Sequence, residues 1–448
     1  MACASPSATI SVTVGPDAGP PGCTSDALTR APAVATFELD AVGHDGSRQT
    51  LADGGIAQAN VDLGDVAEEA IASLQLTGRD ASNNAVLFGA TPFVQLGALD
   101  GATIPLFVQR KGEFACMPGA IADGRTAPLL AANPRGIYYG GGTITGATGN
   151  PVFGGYDLLF LDGFATTCDV GVAARSLSLV ELTNQTSDGD SAVAALIADN
   201  AIYELGLPSC GFSEIKDSDL ADGGTLKSWS EVAGGRAING DDGTGFVVGP
   251  SKLDATSNTI VSFPTTGADG GPPRATVAFA AKRQGAAVAW LPNGGIFIYG
   301  GAAEPGAPGI EILNSTLAAS KLGDYPLDPV QGLAAAQLDG THMIVAGDMQ
   351  PPRVVDVTCE GGCATTPWGQ GLPMTLSSPS LFPLGGGAFL IVGDDATGAT
   401  HAFRMTETDA PKEVLLRIPR IGARAVQTET GEVIILGGGS DVPESYFD

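Results

Sequence analysis

Seven cysteines are the residues of this sequence best suited to covalent chemistry. Their number is odd, so at least one has no disulfide partner within the chain. The clearest pair is Cys359 with Cys363, because the two glycines between them let the chain turn back and bring both sulfurs together. The next choices pair Cys168 with Cys210 and Cys23 with Cys116. Four cysteines allow three connectivities, so these two pairings stay open.

The charge balance excludes one large class of partners. The 448 residues hold 22 Lys and Arg against 49 Asp and Glu, a net charge of −27. Binding to nucleic acid relies on clustered Lys and Arg that release counterions from phosphates, so we expect no nucleic-acid partner. Hydrophobic residues make up 44% and charged residues 16%, which predicts a folded chain. No apolar stretch reaches the roughly 18–20 residues of a transmembrane helix.

One short phrase recurs along the chain, in which several β-forming residues run into a glycine. Its seven copies cover residues 137–140, 202–206, 246–249, 296–300, 343–347, 389–393 and 433–437. Successive closing glycines lie about 50 residues apart on average, which is the period of a β-propeller blade. The recurrence therefore predicts seven blades.

The surroundings of each copy predict a blade of four strands. A small-residue strand precedes the phrase, a third apolar strand follows it, and a fourth fits residues 227–232, 275–279 and 412–417. The phrase itself is expected to be the second strand, with its glycine where a Cβ would clash with the next blade. The last repeat ends after three strands, so residues 113–117 are expected to supply its fourth and close the ring.

Residues 1–106 lack the phrase. Segments 9–14, 35–39, 59–63, 72–76 and 85–88 alternate apolar and polar residues between turns rich in Gly, Asp and Asn. This alternation predicts a small antiparallel β-sandwich, Ig-like or transthyretin-like in outline. We therefore expect an N-terminal tether and sandwich domain at 1–106, followed by a propeller domain at 107–448.

The repeat resembles a degenerate kelch repeat, whose hallmark is an apolar strand that ends in a double glycine. The resemblance covers roughly residues 107–448, and residues 140–142, 300–301 and 437–439 keep the glycine doublet or triplet. The other four copies end in a single glycine, and most of the downstream Tyr and Trp of kelch repeats are missing. The resemblance implies an all-β chain with a seven-bladed kelch-like β-propeller.

Five arginines are the candidate binding residues, because each is expected to open the innermost strand of a blade. They are Arg125, Arg175, Arg236, Arg283 and Arg424. The starts of these strands meet at one end of the central channel, where guanidinium groups in an acidic protein could capture an anion. The alternative is pairing with Asp or with backbone carbonyls between blades. Loop residues that could serve a partner are Glu304, Met349, Gln350, Arg353, Trp368, Asp394 and Asp395.

Catalytic and metal-binding patterns are incomplete. A copper oxidase of the galactose-oxidase type needs two His, two Tyr and a Cys–Tyr thioether, whereas His342 and His401 lie in separate blades outside any ligand motif. Paired zinc knuckles are absent from the sequence. Residues 187–190 and 239–243 are partial calcium loops, and residues 222–229 are similar to a sialidase box with a displaced Trp. We interpret these segments as turns and expect no cofactor or metal.

The N-terminus and the composition indicate export. Residues 2–7, Ala-Cys-Ala-Ser-Pro-Ser, are similar to the cleavage region of a bacterial lipoprotein, which makes Cys3 the lipidation candidate. We expect a monomer held by a lipid anchor at the outer membrane, in the periplasm or at the cell surface. Its expected role is non-catalytic recognition of a protein or glycan. An enzyme of the carbohydrate-active or copper-oxidase-like kind is the main alternative, and a purely structural surface protein is the third.

Overall fold

A computed structural model describes most of the chain, and its described residues form strands with four short 3-10 helices and no α-helix. The described residues are 7–13, 22–23, 26–54, 58–62, 70–133, 136–144, 153–166, 179–183, 192–198, 201–207, 211–219, 227–240, 245–249, 258–263, 274–278, 283–291, 294–301, 307–314, 319–321 and 324–448. The 3-10 helices are Leu96–Leu99, Asp217–Asp219, Trp229–Glu231 and Gly385–Gly387.

The first unit is a β-sandwich of nine strands. They are β1 Ser7–Thr13, β2 Thr36–Gly43, β3 Arg48–Gly54, β4 Gln58–Asp62, β5 Ile71–Arg79, β6 Ala85–Ala90, β7 Val94–Gln95, β8 Thr103–Phe107 and β9 Gln109–Arg110. One sheet has the order β4-β1-β8 and the other β3-β2-β5-β6-β9, with β7 paired to β5. A core that includes Leu39, Leu74, Leu76, Ile104 and Leu106 is completely buried, which stabilises the sandwich by the hydrophobic effect.

The sandwich departs from the sequence prediction in two respects. Strands β1 and β8 pair in parallel, so the sandwich is not purely antiparallel. The prediction also lacked β3 and β8, and β9 still pairs with β6 of this unit. Strand β9 thus extends this sheet beyond residue 106.

The second unit consists of seven four-stranded antiparallel sheets. Blade 7 takes its outer strand, β10 Phe114–Cys116, from the start of the unit. Blade 1 is β11 Leu129–Asn133, β12 Gly136–Gly140, β13 Phe153–Asp157 and β14 Asp162–Thr166; blade 2 is β15 Leu179–Thr183, β16 Ala192–Ala198, β17 Ala201–Leu207 and β18 Gly211–Lys216; blade 3 is β19 Arg236–Asn239, β20 Gly245–Val248, β21 Thr259–Phe263 and β22 Arg274–Ala278. Blade 4 is β23 Ala287–Trp290, β24 Gly295–Tyr299, β25 Ile310–Asn314 and β26 Ala319–Lys321; blade 5 is β27 Ala334–Gln337, β28 His342–Ala346, β29 Arg353–Asp356 and β30 Thr366–Pro367. Blade 6 is β31 Ser377–Pro383, β32 Phe389–Asp394, β33 Thr400–Met405 and β34 Lys412–Glu413; the rest of blade 7 is β35 Arg424–Gln427, β36 Val433–Leu436 and β37 Glu444–Tyr446.

The seven sheets form a closed β-propeller. The first strand of each blade contacts the first strand of the next, and β35 of blade 7 contacts β11 of blade 1. These first strands therefore surround the central channel. Strand β10 pairs antiparallel with β37, with Phe114 opposite Tyr446. The seven blades and the closure by the N-terminal strand are confirmed.

Two strand assignments in blade 2 are wrong. Residues 202–206 lie in β17, the third strand of the sheet, because β16 occupies the second position. Residues 227–232 do not form a fourth strand. Ser228 caps a short 3-10 helix at Trp229–Glu231 with a reciprocal side-chain and backbone capping box, which favours a helical turn over an extended strand.

A buried arginine ties the second strand of several blades to the loop before the first. In blade 7, Arg420 donates from Nη1 to the carbonyl of Gly437 at 2.6 Å and from Nε to Glu444 at 2.9 Å. In blade 4, Arg283 makes the same two bonds to Gly300 and Glu311, each at 3.0 Å. Both arginine side chains have no exposed surface. Each such link satisfies the carbonyl where the second strand ends.

Two further blades also contain an ion pair that involves the loop before the first strand, but the residues that form it are rearranged. The position that holds Glu311 in blade 4 is Gly154 in blade 1, and there Arg125 pairs instead with Asp123 from its own loop. In blade 5 the strand position holds an arginine, Arg353. It pairs with the loop residue Asp328 at 2.8 Å, so the two charges have exchanged places.

The glycine that ends the second strand is required by close packing between blades. Gly437 has a φ of +75°, and a Cβ there would lie 2.5 Å from the carbonyl oxygen of Arg125 in blade 1. Gly300 has a φ of +61°, and its Cβ would meet the carbonyl oxygen of Asp328 at 2.9 Å. An L side chain is disfavoured at this φ and has no room at this distance.

The sandwich is fastened to the strand that closes the ring. The candidate disulfide between Cys23 and Cys116 is present and joins the connection between β1 and β2 of the sandwich to β10. Glu113, just before β10, accepts hydrogen bonds from Arg30 of the sandwich unit and from Arg417 of the propeller. The predicted Cys359–Cys363 disulfide is also present, whereas Cys168 and Cys210 lie outside the described residues.

We predict that R420M lowers the free energy of unfolding by about 3–5 kcal/mol, because it leaves the carboxylate of Glu444 buried without its cation. Urea denaturation measures this loss. The double variant R420M/E444L buries neither charge and should recover most of the lost free energy of unfolding. R30M is the matched control, since its partner Glu113 keeps Arg417, and it should cost less than about 1 kcal/mol. Equal losses in R420M and R30M would contradict the role of the buried pair.

Candidate functional site

The five candidate arginines do not act together. Arg125 and Arg283 have no exposed side-chain surface and are held by the blade links described above, so neither can contact a ligand. Arg175 lies outside the described residues. Arg236 and Arg424 are the first residues of β19 and β35, which places them at the same end of the central channel.

Arg236 reaches across the channel. It belongs to blade 3, and its Nη2 donates at 3.1 Å to the carbonyl oxygen of Pro379 in the first strand of blade 6. In a ring of seven, blades 3 and 6 are as far apart as two blades can be. The guanidinium therefore lies within the channel, although the residue retains exposed surface.

The acceptor of this bond sits in a β-bulge. The pairing of β31 with β32 shifts register between Ser377 and Ser380, and Ser378 has a φ of +48°, in the left-handed region that non-glycine residues rarely adopt. Pro379 lies inside this irregular stretch. Bulges and strained backbone conformations concentrate at functional sites, where they re-aim backbone and side-chain groups.

Arg424 is neutralised by a carboxylate. Its Nη1 donates to Asp394 Oδ2 at 2.7 Å and to the carbonyl of Ala423 at 2.7 Å. The other oxygen of Asp394 accepts a hydrogen bond from Thr400 at 2.8 Å, so both oxygens of this buried carboxylate are occupied. We call Arg236, Ser378, Pro379, Asp394 and Arg424 the channel-mouth cluster.

Arg236 carries an uncompensated charge. Among the described residues, no carboxylate lies within ion-pair distance of its guanidinium, and its only hydrogen bond is to Pro379. Surrounding protein, and then the positive charge of Arg424, lower the pKa of Arg236 below its ordinary value. Arginine stays charged nonetheless, so the cluster has a solvent-accessible cation without a carboxylate partner among the described residues. Such a cation can pair with an anion that enters the channel.

The two histidines considered for a copper site, His342 and His401, do not meet. His342 begins the second strand of blade 5 and interacts with Asp339 at 2.9 Å at one edge of the ring. His401 is in the third strand of blade 6, where its side chain lies 2.7 Å from Glu413. It is opposite Gly393, at the end of the second strand, and so lies toward the other face of the propeller from His342. Within the part of the chain that the structure describes, no three His, Cys, Asp or Glu residues form a group that could hold a metal ion.

The loop residues suggested for contact with a partner differ in how exposed they are and in whether they are already paired. Met349 is 59% exposed, as expected, but Trp368 is buried and packs edge-on against Phe389, so its proposed surface role is wrong. Arg353 is engaged by Asp328 and Asp348. Cys3 and Glu304 lie outside the described residues. The calcium-loop-like segments 187–190 and 239–243 lie wholly and partly outside them, respectively.

Sequence reasoning missed two residues that matter electrostatically. Arg420 stands at the same distance before Gly437 as Arg283 before Gly300, a spacing that could have identified it in place of Arg424. Glu432 lies at the junction of the sandwich with blades 1 and 7, where it accepts a hydrogen bond from Gln109 at 3.2 Å. It shares a small cleft with Phe107, Met117 and Leu158. Burial there raises the pKa of Glu432 to about 7.

Comparison with known proteins does not identify a family for this chain. No protein-family model matches the sequence, and no curated protein matches it either. Among solved structures, a fungal alcohol oxidase of the AA5 family in complex with copper is similar at 15% sequence identity and a TM-score of 0.41. The match covers 59% of this chain and 56% of that chain, so this protein spans little more than half of the oxidase. Similarity at this level carries no inference about activity or metal. The described residues also contain no helix that is long and apolar enough to cross a bilayer.

We predict that E432Q reduces the pH dependence of stability. Because the folded pKa of Glu432 is raised from 4.5 to about 7, its burial costs nothing at low pH, and stability is lost as pH rises through that window. The loss approaches at most about 3 kcal/mol above pH 7. Glutamine keeps the acceptor for Gln109 and removes the charge, so E432Q should gain stability over wild type in urea unfolding at about pH 8 and not at about pH 4. Glu429 is a nearby exposed residue, so E429Q is the control variant and should follow the pH profile of wild type. The same pH profile in wild type and E432Q would contradict the prediction.

Proposed function

We propose that this protein is a non-catalytic recognition propeller that binds a protein or glycan ligand at the channel-mouth cluster. The observation that carries the proposal is the guanidinium of Arg236, which crosses the channel and is held by one backbone carbonyl without a carboxylate partner among the described residues. Because Arg236 keeps exposed surface, its remaining N–H groups are open to an incoming acceptor. The buried Arg420, in contrast, is engaged by Glu444 and by the carbonyls of Gly437 and Val442.

The chemistry of the cluster favours binding over catalysis. Its only carboxyl group, Asp394, already accepts from Thr400 and Arg424, so it orients Arg424 and is not poised to move a proton. His342 and His401 each pair with nearby carboxylates at the edges of blades 5 and 6. A copper or carbohydrate-active enzyme therefore has no specific observation in its favour.

The proposed setting is the bacterial cell envelope. Two disulfides among the described residues, Cys23–Cys116 and Cys359–Cys363, fit an oxidising compartment. Lipidation at Cys3 and the kelch-like character of the repeat remain part of this proposal. We propose that the protein acts there as a monomer, because its net charge of −27 disfavours self-association.

The proposal is tested with an array of neutral and acidic glycans and of peptides with free carboxyl termini, probed with wild type, R236Q and R79Q. Wild type should bind at least one ligand class, and R236Q should bind it at least tenfold more weakly, because a charge-assisted hydrogen bond is lost. R79Q, whose arginine pairs with Glu38 on the sandwich, should bind as wild type does.

Three results would overturn the proposal. The first is equal binding by R236Q and wild type, and the second is no binding to any member of the array. The third is stoichiometric copper in purified protein together with turnover of an alcohol or glycan. Unfolding curves for all three proteins establish that each is folded.

A further inference from the structure

We infer that the channel-mouth cluster selects a ligand through a single carboxylate. This inference rests on the proposed function and names the chemical group that is recognised. Arg236 and Arg424 bring two positive charges and Asp394 brings one negative charge, so the cluster has one net positive charge. A singly charged anion neutralises it. A dianion would leave excess negative charge at the cluster, in a protein whose net charge is already −27.

The free donors of Arg236 suit a planar acceptor. A guanidinium has five N–H groups in one plane, and in Arg236 a single bond from Nη2 to Pro379 is made within the protein. Among the described residues the other N–H groups have no acceptor, so they can form two parallel hydrogen bonds with the two oxygens of a carboxylate. Arg424 lies close enough for its charge to act on Arg236 and would add attraction to the same anion.

The bulge in blade 6 holds the receptor group in position. Two glycines pack on Pro379: a Cβ on Gly347 would lie 3.1 Å from its ring, and a Cβ on Gly393 would lie 3.2 Å from its Cα. These contacts fix the carbonyl that orients Arg236 before the ligand arrives. A preorganised guanidinium loses less side-chain entropy on binding than a free one.

Calorimetric titration at constant ionic strength tests the inference with probes that share or lack the carboxylate. The probes are methyl glucuronide, its uncharged methyl ester, an N-acetylated dipeptide with a free carboxyl terminus, the amide of that dipeptide, methyl sulfate and inorganic phosphate. We expect at least one of the two carboxylates to bind at least tenfold more tightly than its uncharged analogue, methyl sulfate and phosphate. Whether the sugar or the peptide binds distinguishes the two possible sources of the carboxylate.

Three variants separate a carboxylate receptor from a merely basic patch. R236Q should abolish the carboxylate preference, and R236K should weaken carboxylate binding several-fold, because an ammonium cannot donate two parallel bonds. D394N raises the net charge of the cluster to two and should shift the preference toward phosphate. R79Q again serves as the unaffected control.

The outcomes distinguish this inference from the proposed function. If an uncharged probe or a neutral glycan binds as tightly as the carboxylates and R236Q still abolishes binding, the carboxylate inference fails and recognition at the cluster stands. If phosphate binds wild type more tightly than either carboxylate, the charge argument is overturned. If no probe and no array ligand binds, both proposals fail.

Discussion

The propeller depends on one recurring interaction, a buried ion pair that also caps the carbonyl at the end of a second strand. Arg420 with Glu444 and Arg283 with Glu311 are the complete versions. A buried charge without its partner is strongly destabilising, so each pair constrains both the loop before a blade and the strand inside it. Blade 5 places Arg353 on the strand and Asp328 on the loop, so the constraint concerns complementary charge and not residue order.

The channel-mouth cluster differs from the blade links in how its arginine charge is paired. In the blade links, every cation is matched by a carboxylate, and Arg125, Arg283 and Arg420 have no exposed side-chain surface. Arg236 differs, because it points into the channel and, among the described residues, contacts only a carbonyl in a distorted strand on the opposite side. This exposed guanidinium is the feature on which the proposed binding role rests.

The recurrence of about 50 residues predicts the seven blades, because six of them have a second strand that ends at or next to a glycine. The same phrase misleads in blade 2, since a run of β-forming residues before Gly206 fits a third strand as well as a second. The 17-residue spacing from Arg283 to Gly300 recurs from Arg420 to Gly437 and could have identified Arg420 in place of Arg424. The partner of Arg236 lies 143 positions away, and only the closed ring brings the two together.

The way in which the ring is closed also orders events during synthesis. Residues 114–116 leave the ribosome early but have no strand to pair with until residues 444–446 emerge. Until then the growing chain is an open arc with an unprotected edge, and joining its ends carries the entropy of a very long loop. Completion of blade 7 therefore requires residues 444–446, and a chain that lacks β37 would keep six complete blades while β10 has no strand to pair with.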